Sequence, residues 1–205
     1  MALVYYDPEM TMRAARAQYF DVNHFGESGG YDDAWVDFKL GPVPFPFPNT
    51  AGRIRAVKVH DLHHILTAYD TDLIGEFEIG AWEVGAGCKD FYAAWFLNLG
   101  GLAAGAFAAP KRTFRAYLRG RKTESLYGRS LDEMLDRSVA DMRRETRADD
   151  PIPSATFGDV LRFTAWFACG AVAMSVFGVV GFFAAPLALL FGLRKNKVKA
   201  ESAAA

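Results

Sequence analysis

Apolar residues recur at helical spacing along most of this chain, and the stretches are separated by capping residues and prolines. Asp7-Pro8-Glu9 reads as a helix start, with Asp at the N-cap and Pro at the first helical position, so a first helix is expected to about Phe20. A loop rich in Gly and Asp follows from Asn23 to Asp33, and Trp35 to Leu40 suits a short strand or a sheet edge. Prolines at 44, 46 and 48 force Gly41–Pro48 into extended or polyproline-like geometry. This segment reads as a stiff strap across the fold in preference to a docking strip. Two further helices are expected, from about Arg53 to Ala68 and from about Asp72 to Ala86. Between them lies Tyr69-Asp70-Thr71-Asp72, where Thr71 or Asp72 can cap a new start.

The second half is more apolar. Phe91 to Pro110 carries no charge and is long enough to span a bilayer, but Asn98 and Gly100-Gly101 predict an interruption. It reads as a buried or membrane-facing helix pair, or as the wall of a tunnel for a long hydrophobic ligand. Ser130-Leu131-Asp132-Glu133 has the form of a capping box. A helix from there to about Arg147 would align Leu131, Met134, Leu135, Val139 and Met142 on one stripe. Asp149-Asp150-Pro151-Ile152-Pro153 marks a boundary. The expected organisation is therefore a helical domain over 1–150 and a hydrophobic, membrane-associated segment with a basic tail over 151–205. Thr156 and Asp159 give a second capping signal, and Phe163 to Leu193 is an uncharged run of 31 residues. That run suits either one transmembrane helix to about Ala184 or a hairpin turning near Gly178–Gly181, with the hairpin slightly preferred. The fold class expected is mostly α, a helical bundle with a metal site between two helices and a C-terminal membrane-associated hydrophobic segment.

Composition changes this picture through its distribution. The 205 residues carry a net charge of −1, yet residues 1–90 hold 7 basic and 14 acidic side chains and residues 111–147 hold 11 basic and 6 acidic. Lys111 to Lys122 contains six basic residues and no acid. Such asymmetry points to an anionic partner. Because the basic run directly follows an apolar segment, a lipid surface fits better than nucleic acid. Cys88 and Cys169 sit among small and apolar residues and read as buried free thiols rather than a disulfide framework. Ala2 to Tyr6 is too short for the apolar core of a secretory leader and lacks a basic flank, so an intracellular chain is expected.

The candidate chemistry lies in the second and third helices. Three of the four histidines fall within His60-Asp61-Leu62-His63-His64. On a helix His60 and His64 are an i, i+4 pair and Asp61 and His64 an i, i+3 pair, so these side chains can share a face. Glu76 lies twelve residues beyond His64, ~18 Å away in one unbroken helix. The break at 69–72 would fold it back over the histidines. Two imidazoles and two carboxylates then converge, a ligand set for zinc, iron or manganese, with zinc suiting it best. Asp61 can be a ligand or the acceptor that holds a ligand histidine. Glu83, seven residues after Glu76, shares its face and reads as solvated rather than as a carboxylate behind the ligands. No dinucleotide-binding glycine motif, phosphate-binding loop, hydrolase elbow or His-Glu-x-x-His stands in the chain.

His-Asp-x-x-His, eleven residues, then Glu resembles the signature of the coenzyme Q (ubiquinone) biosynthesis protein four family, matched at His60, Asp61, His64 and Glu76. Thr71-Asp72-Leu73-Ile74-Gly75-Glu76 also resembles that family's Thr-Asn-x-x-Gly-Glu, and the likeness covers roughly residues 50–147. The resemblance implies a role in ubiquinone biosynthesis on a prenylated aromatic ring. It implies either oxidative decarboxylation at ring carbon one of a hydroxybenzoate-type compound, or a non-catalytic scaffold with a structural metal that holds the lipid intermediate for other quinone-biosynthesis proteins; a membrane-complex subunit with a structural metal site stands as a further alternative. On this reading the ligands are His60, Asp61, His64 and Glu76, and the partners are a prenylated quinone precursor and a membrane. The location is the cytoplasmic side of a bacterial inner membrane, with no nucleic acid involved. The uncharged run from Phe163 departs from the family pattern and leaves open a relative serving another quinone or prenyl lipid.

Overall fold

A computed structural model describes residues 6–36, 39–40, 43–44, 47–176 and 178–179. The fold is mostly α-helical. Helices α1 (Met12–Val22), α2 (Ala51–Thr67), α3 (Leu73–Ala86), α4 (Tyr92–Ala108) and α5 (Pro110–Gly120) are followed by short α6 (Leu131–Leu135), α7 (Val139–Thr146) and an apolar α8 (Phe157–Val176). Between α1 and α2 lie four two-residue strands, β1 (Trp35–Val36), β2 (Lys39–Leu40), β3 (Val43–Pro44) and β4 (Phe47–Pro48). They pair antiparallel, Trp35 with Pro48 and Val36 with Phe47, then Lys39 with Pro44 and Leu40 with Val43. Within the proline-rich stretch Val43–Pro44 and Phe47–Pro48 are thus extended, and the rest of Gly41–Pro48 lies outside the described residues.

Several boundaries differ from the expected ones, each for a physical reason. α1 starts one turn late, capped by Thr11, whose hydroxyl accepts from Ala14 N–H at 3.2 Å. Residues 8–11 are held elsewhere: Pro8 and Met10 carbonyls accept from Ala140 and Val139 N–H, and Thr11 bridges to Ser138. The helix expected from Ser130 to Arg147 is two helices, because Ser138 caps a fresh start by accepting from Asp141 N–H at 3.0 Å. Ser130 makes no side-chain cap. The Phe91–Pro110 stretch forms one continuous helix rather than a pair, running through Asn98 and Gly100-Gly101. Thr156 and Asp159 do form a reciprocal capping box, Thr156 N–H donating to the Asp159 carboxylate at 3.0 Å and Asp159 N–H to the Thr156 hydroxyl at 3.2 Å. Of the hairpin turn expected near Gly178–Gly181, Gly178 is helical, and Gly181 and the basic tail lie outside the described residues. Cys88 is buried as expected, whereas Cys169 is exposed on α8.

Two apolar cores result. One joins α1, α2, α6 and α7 through Met12, Tyr19, Leu62, Ile65, Leu66, Leu135 and Met142. The other joins α3, α4 and α5 through Ile79, Trp82, Leu102 and Tyr117, and α8 packs on it with Phe163, Trp166 and Phe167. Trp95 touches both. The seam where α2 meets α3 carries the polar side chains described next.

Candidate metal centre

The α2–α3 break is built much as its residue types demand. Ala68 ends α2 in the left-handed conformation (φ 57°), and its N–H donates to the His64 carbonyl at 2.9 Å. The last carbonyls of α2 are capped by cations from distant helices. Arg119 donates to Thr67 O at 2.9 Å, and Arg143 to Leu66 O and Ile65 O at 3.1 and 3.0 Å. Asp72 then caps α3 by accepting from Gly75 N–H at 2.7 Å. The turn is so tight that a Cβ on Gly75 would lie 2.0 Å from the Asp70 carbonyl. Glu76 is therefore placed one turn into α3, directly over the end of α2.

His60, His64 and Glu76 converge there. The two Nε2 atoms are 3.1 Å apart, His60 Nε2 is 3.4 Å from one Glu76 oxygen, and His64 Nε2 is 3.4 Å from the other. One ligand atom from each of the three lies within 4.8 Å of the others. The edge of a tetrahedron with metal–ligand bonds of ~2.0–2.1 Å is ~3.3 Å, so these separations suit one divalent ion. The tautomers agree. His64 Nδ1 lies 3.0 Å from the Tyr69 carbonyl, which can only accept, so Nδ1 carries hydrogen and Nε2 offers a lone pair when the ring is neutral. His60 Nδ1 lies 2.9 Å from Glu83 Oε1, which orients that ring in the same way. Tyr19 stacks on His64 with centroids 5.7 Å apart, fixing the ring plane. The Glu76 side chain is 42% exposed, which leaves the group open to solvent on that side.

Asp61 is not among the converging groups. Its carboxylate turns toward α1 and the following loop, accepting from the Tyr31 hydroxyl and lying 3.5 Å from that of Tyr19. One residue along a helix is a rotation of 100°, and here it takes Asp61 off the face of His60 and His64. Of the four expected ligands the structure brings His60, His64 and Glu76 together, and Asp61 ties down the loop beside them. Burial pushes the Asp61 carboxyl upward, more strongly than His60 and the Tyr31 bond pull it down. Burial, with the Asp61 charge adding to it, raises the Tyr19 and Tyr31 phenols far above their usual range, so both remain donors.

Behind His60 lies a second polar group that the sequence did not reveal. Glu83, read there as solvated, is fully buried. Its Oε1 accepts from His60 Nδ1 and, at 2.6 Å, from His63 Nδ1. Its Oε2 accepts from the Tyr127 hydroxyl at 2.7 Å and from the Asn98 amide. His63 Nε2 in turn accepts from Leu126 N–H at 2.9 Å, which fixes His63 as the neutral Nδ1–H tautomer. Burial alone would raise the Glu83 carboxyl, but His60 and His63 outweigh it and hold it well below the usual carboxylate range. Burial likewise opposes charge on His60, and Glu83 and Glu76 overcome it, leaving that imidazole well above its ordinary value. Glu76 is depressed by His64 and His60 against the same penalty. The one sequence signal for this group was the i, i+7 spacing of Glu76 and Glu83.

Compared with protein-family models, with curated proteins and with solved structures, the chain finds no match in any of the three.

Proposed function

We propose that this chain is a ubiquinone-biosynthesis protein that holds one divalent metal on His60, His64 and Glu76 and offers it to the polar head of a prenylated aromatic ring at a membrane. The observation that carries the reading is the convergence of two oriented Nε2 lone pairs on one carboxylate with a solvent-open side. Three protein ligands and an open position are the pattern of a reactive rather than a purely structural site. A divalent ion there supplies Lewis acidity toward a ring carboxylate or hydroxyl. This chain's own residues fix the ligand rings through Tyr69 and Glu83, and Asn98 of α4 meets Glu83 in the layer beneath. Zinc has no redox chemistry, so the oxidative form of the reaction calls for iron or manganese in this set. The motif likeness at His60, Asp61, His64 and Glu76 supports the ring-lipid assignment.

The second reading is a lipid-holding scaffold with the same metal, favoured by the extent of exposed apolar surface on α4 and α8 relative to the single polar site. Elemental analysis and lipid extraction from the purified protein test the shared part, with one metal per chain and a co-purifying quinone or prenyl compound as the expected result. Bulk phospholipid alone, or no metal, defeats it. Ring decarboxylation that vanishes in Glu76→Gln selects the enzyme, and absence of turnover with bound prenyl lipid selects the scaffold.

A further inference from the structure

α8, at 20 residues, is long and apolar enough to cross a membrane, and almost none of it is fully buried. Its inner face nevertheless stays on the body over almost its whole length. Asp159 pairs with Arg121 at 3.3 Å, near the end of α5. Phe163 packs on Phe114 and Tyr117 of α5, with centroids 5.1 and 5.3 Å apart. The helix then crosses α4. Trp166 stacks on Trp95 at 5.3 Å, and Phe167 meets Phe107 at 5.4 Å. At the crossing a Cβ on Gly170 would lie 2.2 Å from the Leu99 carbonyl, and one on Gly100 would lie 2.9 Å from Met174 Sδ. From Asp159 to Met174 is ~22 Å of helix, so among the described residues almost nothing of α8 is left unseated to cross a ~30 Å hydrocarbon core.

Among the described residues the outer face is mostly apolar and uncovered. Leu161, Val172 and Val176 of α8 are each more than half exposed, and so are Tyr92 and Phe107 of α4. A rim of positive charge adjoins it. Lys111, Arg115 and Lys122 are exposed on and just after α5, with Phe114, which packs on α8, lying between the first two. A second copy of this chain seated symmetrically on the face would oppose two such rims. An anionic bilayer surface satisfies both the apolar face and the rim.

We infer that α8 and the exposed flank of α4 form a monotopic docking surface, lying in the plane of one leaflet with anionic headgroups along Lys111, Arg115 and Lys122. This deepens the membrane part of the reading above and is independent of the metal. Flotation of the full chain with sealed phosphatidylcholine–phosphatidylglycerol vesicles should show binding that weakens in high salt and on phosphatidylcholine alone. Alanine at Lys111, Arg115 and Lys122 should cost on the order of fivefold in affinity for each charge removed. Orientation is read from Leu161→Cys and Val176→Cys, each in a Cys169→Ala background, labelled with a nitrobenzoxadiazole dye and quenched by shallow and deep spin-labelled lipids. Equal, shallow depths are expected. Depths differing by ~22 Å would overturn the in-plane arrangement while leaving membrane association standing. Absence of flotation with anionic vesicles overturns both, and dimerisation without vesicle binding assigns the face to a second copy instead.

Discussion

Glu76 and Glu83 stand two turns apart on α3, and each faces histidines of α2, yet they sit in opposite environments. Glu76 is partly open to solvent and meets two imidazoles through Nε2 at distances that leave room for an ion. Glu83 is sealed, and its two oxygens are filled by four donors from His60, His63, Asn98 and Tyr127. Two positions of one helix thus separate a carboxylate open to a ligand from one that fixes the ring beside it. A carboxylate with every lone-pair direction used and no exposure is a fixed part of the frame. A carboxylate with both oxygens near imidazole nitrogens and one side in water is available for exchange. His60 joins the two, with Nδ1 in the closed group and Nε2 in the open one.

The sharpest way to break this contrast is Glu83→Ala. It would take the acceptor from the buried His63, Asn98 and Tyr127 and from the half-buried His60, and should cost about 3 kcal/mol or more of stability. Thermal or denaturant unfolding of the metal-free protein checks this. Glu76→Ala, measured in the same way, should cost well under half as much, and equal losses would erase the distinction. Glu83→Gln separates charge from shape. It keeps one acceptor oxygen for the two histidines but turns a donor NH2 toward Asn98 and Tyr127, and metal affinity at high pH should fall about 10–100-fold, the usual effect of removing a partner behind a ligand histidine.

His60→Ala should abolish metal binding while leaving most of the fold, because His63 still occupies the Glu83 oxygen and the Nε2 contacts given up, to His64 and Glu76, lie on the solvent-open side of the site. Elemental analysis beside wild type decides it, and equal metal in both would move the site elsewhere.

Acid should act on the two groups differently. In the metal-free protein His60 has a raised folded value, so its ionic stabilisation is fully present below about 6.5 and is lost as pH rises through that raised value. Glu83 is depressed, so its contribution is present above about 4.5 and is lost as pH falls through its lower folded value. Metal binding runs the other way for His60, since coordination needs the neutral ring and displaces its proton. Affinity should rise roughly tenfold per pH unit below the folded value of His60 and level off above it. In Glu83→Gln the imidazole loses its main anionic support, so the rising limb should shift to lower pH. A metal titration with identical limbs in the two proteins would remove Glu83 from the centre.

How much of this was legible in sequence varies with the range of the forces involved. Local chemistry was readable. The break at 69–72, the Asp72 cap, the capping box of Thr156 and Asp159, and the placement of His60, His64 and Glu76 on helices that fold back on each other all follow from neighbouring residues. What depended on partners far along the chain was not readable. Glu83 looks solvated until His63, Asn98 and Tyr127 are brought to it from three other segments. Asn98 looked like a helix break, but its amide is satisfied by Glu83, and a Cβ on Gly101 would sit 3.6 Å from the Glu76 carbonyl, so these residues mark where α4 meets α3. Ser138 lay beside an amphipathic stripe, and only its pairing with Thr11 shows why a helix restarts there.

The smallest expected effect concerns Asp61, which the motif places among the ligands and the structure places beside them. As a ligand, it would take metal affinity down with it when mutated by as much as Glu76 does. As the anchor of Tyr31 and Tyr19, it should affect chiefly the loop over Asn23–Asp33, whose residue Tyr31 it holds to α2. Asp61→Asn keeps the shape and an acceptor for Tyr31 but removes the charge, and because burial disfavours that charge the exchange is nearly balanced. We expect about 1 kcal/mol or less of destabilisation and metal affinity within a few-fold of wild type, with faster amide exchange at residues 24–33. A metal loss in Asp61→Asn equal to that in Glu76→Gln would show that the carboxylate swings in when the ion binds, and would restore the four-ligand set.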